Sequence, residues 1–249
     1  MKSLIKPAAL KTIAATTLFI SSFSWGAIAL DRTRIIMDAD NPSVSLTVTN
    51  ESQRLPYLAQ GWLENEHGEK ITTPLTVLPP VQRIEPGEKS QVKIQSLPSA
   101  NLLAQNKETL FYFNLREIPP RADKPNTLQV ALQTKIKLFY RPASLQLSPG
   151  AYANPVQLQV RLTRVGDDYR IENPTGYYIT FVGASRHEGE ESVRGFAPLM
   201  VGPRQNVMLG GSAAALGDAP VLQYVNDFGG RVALHFRCQA GSCRAVAKS

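Results

Sequence analysis

The sequence predicts an all-β protein made of two sandwich-like halves, and three observations carry that expectation. Apolar residues recur with period two, most clearly in "LQVALQTKIKLFYRP" from Leu128 to Pro142, the spacing of a strand with two different faces. Eighteen prolines and seventeen glycines punctuate many short β-prone runs. No stretch carries the long 3.6-residue periodicity of an amphipathic helix. With 249 residues, 43% of them hydrophobic, the chain can form one large or two ordinary domains of roughly 100–200 residues each.

The first element reads as a targeting leader. Lys2, Lys6 and Lys11 accompany the apolar run "TIAATTLFISSF", which is too short to span a bilayer comfortably. Small residues in "SWGAIA" allow cleavage after Gly26 or after Ala29, so residues 1–26 are assigned to a signal peptide. A retained membrane anchor is the rival reading. No other segment has the length and apolarity to cross a membrane, so the mature chain is expected to be exported without an integral membrane segment. Removing three lysines and no acidic residue lowers the formal charge from +7 to about +4. That balance is mildly basic and, with export, argues against a nucleic-acid partner.

Strands then follow one another between turn signals. "SVSLTVTN" alternates Val44, Leu46 and Val48 with Ser45, Thr47 and Thr49. "LPYLAQGWLENEHGEKI" reads as a strand, a turn around Asn65–Gly68 and a return. "EPGE" separates two further runs, with Pro86 and Gly87 at the second and third turn positions. "NLLAQN" is expected to form one short turn, "LFYFNLREI" a strand, and "PPRADKPN" a polar loop leading into the long strand at Leu128. About seven strands in roughly 115 residues is a sandwich density. The first domain is placed at 27–143. The proline-rich "PASLQLSPGAYANP" reads as a linker with some strand character, and the second domain occupies 144–249. Its strands are expected in "VQLQVRLTRVGDDYRIENPT", "YYITFVGASR", "VMLGG" and "RVALHFRC", with Asp167–Asp168 at a hairpin turn and "GGSAAALGDAP" as a flexible loop.

Catalytic signatures are missing. His67, His187 and His235 have no partner at metal-ligand spacing, no GxSxG elbow occurs, and "GGSAAALG" lacks the lysine and hydroxyl residue of a phosphate loop. The chain is therefore expected not to be an enzyme, and no cofactor or metal is assigned. A secreted hydrolase remains the enzymatic rival, because a triad converges only in the fold. Cys238 and Cys243, five apart in "CQAGSC", read as a disulfide closing a short loop in an oxidising compartment. Their rival, a metal site with His235, is weakened by alternation: His235 points away from the face shared by Val232, Leu234, Phe236 and Cys238. Two basic groups stand out, Arg32 and Arg34 in "LDRTRI" and Lys135, Lys137 and Arg141 in "KIKLFYRP". Read by spacing alone they are either a carboxylate site or solvated strand charges.

Together, "LDRTR", "LPYLAQGWLENE", "PPVQRIEPGEKS", "LFYFNLREIPPR", "LQTKIKLFYRP", "YRIENPTGYY" and "YVNDFGGR" resemble the periplasmic pilus-assembly chaperones, across nearly the whole mature chain. The resemblance implies two immunoglobulin-like sandwiches in an L or boomerang arrangement and a location in the periplasm of a Gram-negative bacterium. It implies a chaperone that binds, folds and caps pilin subunits of tip, adaptor and rod types by donor-strand complementation, then delivers them to an outer-membrane usher. Self-association of the subunit-less protein is a further implied partner mode. By position, Leu128, Val130 and Leu132 match the groove-filling residues of the donor strand. Arg34 and Lys137 match the pair that anchors the subunit's C-terminal carboxylate, which leaves Arg32 and Lys135 as neighbours without that role. Glu108, Arg141 and Asp227 match an interdomain ionic set, expected to set the cleft angle rather than supply much stability, since exposed ion pairs add about 0–1 kcal/mol each. Cys238 and Cys243 match a second-domain disulfide. The runner-up is a pilus structural component, but that would be one incomplete domain with an N-terminal donor extension.

Overall fold

A computed structural model describes residues 26–122 and 126–247. The expected leader, apart from Gly26, and residues 123–125 of the polar loop lie outside the described residues. The fold is almost entirely β. Its first ten strands are β1 (Ile28–Leu30), β2 (Arg34–Asp38), β3 (Ser43–Asn50), β4 (Tyr57–Glu64) and β5 (Lys70–Ile71), then β6 (Leu75–Leu78), β7 (Val81–Ile84), β8 (Lys89–Ser96), β9 (Thr109–Ile118) and β10 (Gln133–Arg141). They form two sheets, ordered β1-β3-β8-β6 and β2-β10-β9-β4-β5, with β7 also paired to β4.

Between these sheets lies one core, in which Leu46, Ile94, Ile35, Phe113 and Leu138 are fully buried. Each such side chain contributes about 1.5–3 kcal/mol of transfer free energy. Alternation explains the membership. In β3, Leu46 and Val48 enter the core while Ser45 faces water. Turn chemistry fixes the connections: Gly87 takes φ +72° and the Glu88 N–H donates to the Glu85 carbonyl at 3.1 Å, as the "EPGE" signal requires.

The second half comprises β11 (Arg161–Val165), β12 (Asp168–Glu172), β13 (Ile179–Ser185), β14 (Leu199–Val201) and β15 (Asn206–Met208), then β16 (Val221–Val225), β17 (Arg231–Gln239) and β18 (Ser242–Val246). These eight strands make one continuous ladder, β14-β13-β16-β17-β18-β11-β12-β15. It closes sandwich-fashion on a second core that includes Leu162, Ile171, Phe181, Leu222, Leu234 and Cys243. Asp167–Asp168 does sit at a tight hairpin, between β11 and β12, with Gly166 at φ +63°. Cys238 and Cys243 are joined in a disulfide across the β17–β18 hairpin. His235 lies 3.1 Å from the Glu188 carboxylate instead.

Three expectations change. The strand at Leu128–Pro142 is ordered as a ladder only from Gln133; just before it the Leu132 carbonyl accepts the Glu117 N–H at 3.0 Å, and among the described residues Leu128–Ala131 has no paired strand. "GGSAAALG" forms one helical turn, α1 (Ala213–Leu216), rather than a loop. Ser212 Oγ accepts the Ala215 N–H, Gly217 ends the turn at φ +70°, and Ala213 and Leu216 are buried. The linker carries no strand. It folds into 3₁₀ turns at Ala143–Leu145, Pro149–Tyr152 and Val156–Gln159, each starting at or just after a proline.

Candidate functional site

β2 is a short edge strand that pairs with β10 in parallel, the one parallel pair among the described residues, with Arg34 opposite Lys137 and Asp38 opposite Arg141. On β2, Ile35 and Met37 enter the first core, which turns Arg34, Ile36 and Asp38 the other way. On β10, Ile136, Leu138 and Tyr140 enter that core, which turns Lys137, Phe139 and Arg141 to the same outer face. That face meets the second half of the chain. Phe139 is covered by the Tyr178 ring at 5.6 Å between centroids, and the Glu108 N–H donates to the Gly176 carbonyl at 2.8 Å.

Apart from Arg141, the cations of the two basic groups divide into two kinds. Arg32 is held by Asp31 through Nε and Nη2 at 2.9 and 2.8 Å. Lys135 Nζ lies 2.6 Å from Glu64 Oε2 and sits over the Tyr112 ring. Arg34 and Lys137, both half-buried, have no ion pair among the described residues. Arg34 spends one donor, Nη1, on the Val225 carbonyl at 3.0 Å, and its Nε is buried without a partner. Burial lowers the pKa of Arg34, opposed by Asp227 and Glu108. Burial, and then repulsion from Arg34, lowers that of Lys137. Two cations side by side and partly dehydrated form a site for an anion.

A cleft of about 390 Å³ opens beside them, with Arg34 and Ile36 on the first-domain wall and Tyr152 and Phe228 on the other. Lys137 is not part of its lining and stands one strand behind Arg34. Three carboxylates also line the cleft: Asp31 is paired with Arg32, Asp227 with Arg141, and Asp38 is four residues along β2 from Arg34, about 13 Å at the usual strand rise.

β10 reveals a second feature. It pairs with β9 from Gln133 onward, yet β2 covers its other edge only from Lys137. Among the described residues, Gln133–Ile136 therefore has an open edge that stops where the two cations stand. Upstream, Leu128, Val130 and Leu132 are 89%, 63% and 43% exposed.

Glu108, Arg141 and Asp227 are brought together across the junction. Arg141 donates through Nε to Glu108 Oε1 at 2.9 Å, and through Nη1 and Nη2 to Asp227 Oδ2 and Oδ1 at 2.9 and 3.2 Å. Glu108 Oε2 accepts the Tyr178 N–H at 2.8 Å. The low energy expected of exposed pairs does not apply, because the Glu108 and Arg141 side chains are buried. Burial raises the Glu108 carboxyl from its ordinary 4.5 to about 7, against the lowering effects of Arg141 and the Tyr178 N–H. Sequence reasoning missed Tyr152 and Phe228, since a lone aromatic in a turn carries no periodicity.

Residues 27–146 match the model described as "Pili and flagellar-assembly chaperone, PapD N-terminal domain", and residues 154–236 match "Pili assembly chaperone PapD, C-terminal domain". The chain is 47% identical over 230 residues to the probable fimbrial chaperone YfcS of Escherichia coli (strain K12), covering 91% of this chain and 90% of that one. It is 47% identical over 233 residues to the chaperone protein PapD of Escherichia coli, covering 93% and 95%. Among solved structures it resembles the YadV chaperone, with TM-score 0.66 and 29% identity over 85% of this chain and all of that one. The periplasmic chaperone SfaE matches with TM-score 0.66 and 27% identity, over 82% and 95%.

Proposed function

Because the chain belongs to the PapD family of pilus-assembly chaperones, we propose that its β10 edge and the Arg34–Lys137 pair capture the C-terminal strand of a pilin subunit. The observation that carries this reading is the coincidence of two features. Among the described residues, the open edge of β10 ends at the two of the four neighbouring cations that form no ion pair with a carboxylate. A strand added to that edge, with its C-terminus at the cations, runs parallel to β10. Its terminal carboxylate then accepts charge-assisted hydrogen bonds from Arg34 and Lys137. The anchor sets register, since a slip of one residue would turn every side chain to the opposite face.

Leu128, Val130 and Leu132, exposed here, then fill the groove of the incomplete subunit. Each contributes about 1.5–3 kcal/mol on full enclosure. Among the described residues, this segment is tied to β9 by one backbone bond, from the Glu117 N–H to the Leu132 carbonyl at 3.0 Å, and its other edge has no paired strand, so augmentation there displaces no native ladder. Tip, adaptor and rod subunits share the features being read, a carboxylate and an apolar groove. Delivery to an outer-membrane usher completes the cycle, when another subunit's extension replaces the chaperone strand. Self-association through the same exposed segment protects it between subunits.

The site of action is the periplasm. Cleavage falls after Gly26, because cutting after Ala29 would remove Ile28 and Ala29 from β1. Ile28 is buried, pairs with Asn50 and donates its N–H to Glu117 Oε2 at 2.9 Å.

The test is titration of the purified chain with a synthetic 12-residue peptide of alternating Val and Thr, as free acid and as C-terminal amide. The free acid is expected to bind at least tenfold more tightly, and Lys137→Ala is expected to erase the difference. Equal affinities for acid and amide in the wild type would contradict the anchor.

A further inference from the structure

We propose that Tyr152 and Phe228 form a subsite for the side chain of the subunit's last residue, favouring an aromatic or large apolar one. The proposal rests on the anchor reading and adds a specificity that the two cations cannot supply, because a carboxylate is common to every C-terminus.

Phe228 is 76% exposed and Tyr152 49%, and their rings are 5.3 Å apart with a 45° tilt. Exposed apolar residues scattered singly need no explanation, but these two are neither scattered nor loosely held. Phe228 sits at the tip of the β16–β17 turn. There the Asn226 side-chain oxygen accepts the Phe228 and Gly230 N–H groups at 3.1 and 2.8 Å, and the Gly229 N–H donates to the Asn226 carbonyl at 3.0 Å. Asp227, one residue before, is clamped bidentately by Arg141 of the first domain. Gly229, one residue after, has φ +84°, and a Cβ there would stand 2.5 Å from Thr33 Oγ1. The turn is thus pressed against the residue that precedes Arg34, which fixes the exposed ring beside the anchor.

Behind the pair, a second depression of about 190 Å³ continues the apolar wall past Pro155, Tyr224 and Val232. The cleft beside Arg34, about 390 Å³, is at the small end of ligand pockets. It has room for a carboxylate and one side chain, not for a folded partner. Of the cationic groups in its lining, Arg32 is paired with Asp31 and Arg141 with Asp227, which leaves the Arg34 guanidinium on one wall and two aromatic faces on the other. The occupant that matches both is a terminal residue with an apolar side chain. Tilted aromatic contacts add to simple burial, and about tenfold in affinity is expected from one ring.

The experiment uses the full mature chain and three peptides of the alternating Val/Thr series: Phe-ended acid, Gly-ended acid and Phe-ended amide. Wild type should bind the Phe-ended acid about tenfold more tightly than the Gly-ended acid. Phe228→Ala and Tyr152→Ala, both at exposed positions, should each cut that ratio to below about threefold while leaving the Gly-ended acid unchanged. A wild-type ratio near one, or a ratio unaltered in both variants, would overturn the subsite. Loss of acid-over-amide preference in the wild type would instead show that the anchor itself is wrong, and the subsite would fall with it.

Discussion

Arg34 and Lys137 face each other across the β2–β10 pair at the point where β2 begins to cover the edge of β10. Each is half-buried, each has its pKa lowered by burial, and neither has an ion pair among the described residues. Their neighbours Arg32 and Lys135, two residues away on the same strand or its approach, are neutralised by Asp31 and Glu64. The pair is a stored electrostatic cost that an incoming carboxylate removes.

Lys137→Ala removes that cost along with the anchor. It should abolish pilin capture while thermal stability stays the same or rises slightly. Thermal denaturation measured beside pull-down of pilin checks both halves. A large fall in melting temperature would mean that Lys137 serves the fold.

Leu132→Glu tests the donor face. Leu132 is exposed in the unliganded protein, so the variant should fold normally. On capture it would bury an unpaired charge, at a cost of several kcal/mol, and affinity for pilin should fall at least 100-fold. Wild-type affinity would place Leu132 outside the groove.

Glu108 makes stability depend on pH. Its folded value of about 7 lies above the ordinary 4.5, so the folded state holds the proton more tightly. The contribution is fully present below about 4.5 and is lost as pH rises through about 7. The span is on the order of 3 kcal/mol. Urea unfolding of wild type and Glu108→Gln between pH 5 and 8 should show the decline in wild type and a flatter profile in the variant. Parallel profiles would remove Glu108 as the source.

Arg141→Ala leaves Glu108 buried without its cation and frees Asp227. Breaking such a pair costs about 3–5 kcal/mol. Asp227→Ala, which leaves Glu108 and Arg141 together, should cost less. Equal losses in chemical denaturation would indicate that the junction acts as one unit.

The legible part of the fold was the part with period. Ile136, Leu138 and Tyr140 could be assigned to the core face by alternation alone, and they are in the core. Strands of three residues, such as Ile28–Leu30 and Leu199–Val201, are too short to show a pattern. The open edge of β10 was illegible for a different reason. It depends on where β2, about a hundred residues away, starts to pair. Local spacing also could not separate Arg34 from Arg32, since the difference lies in which one finds a carboxylate. The burial of Arg141 and Glu108 follows from the contact between the two halves, which no single stretch encodes.

The most direct measurement is co-purification from the periplasm of a pilus-expressing bacterium, with tagged wild type beside Arg34→Ala and bound proteins identified by mass spectrometry. The account predicts a stoichiometric pilin with the wild type that is absent from the equally abundant variant. A pilin retained by Arg34→Ala at wild-type yield would contradict it.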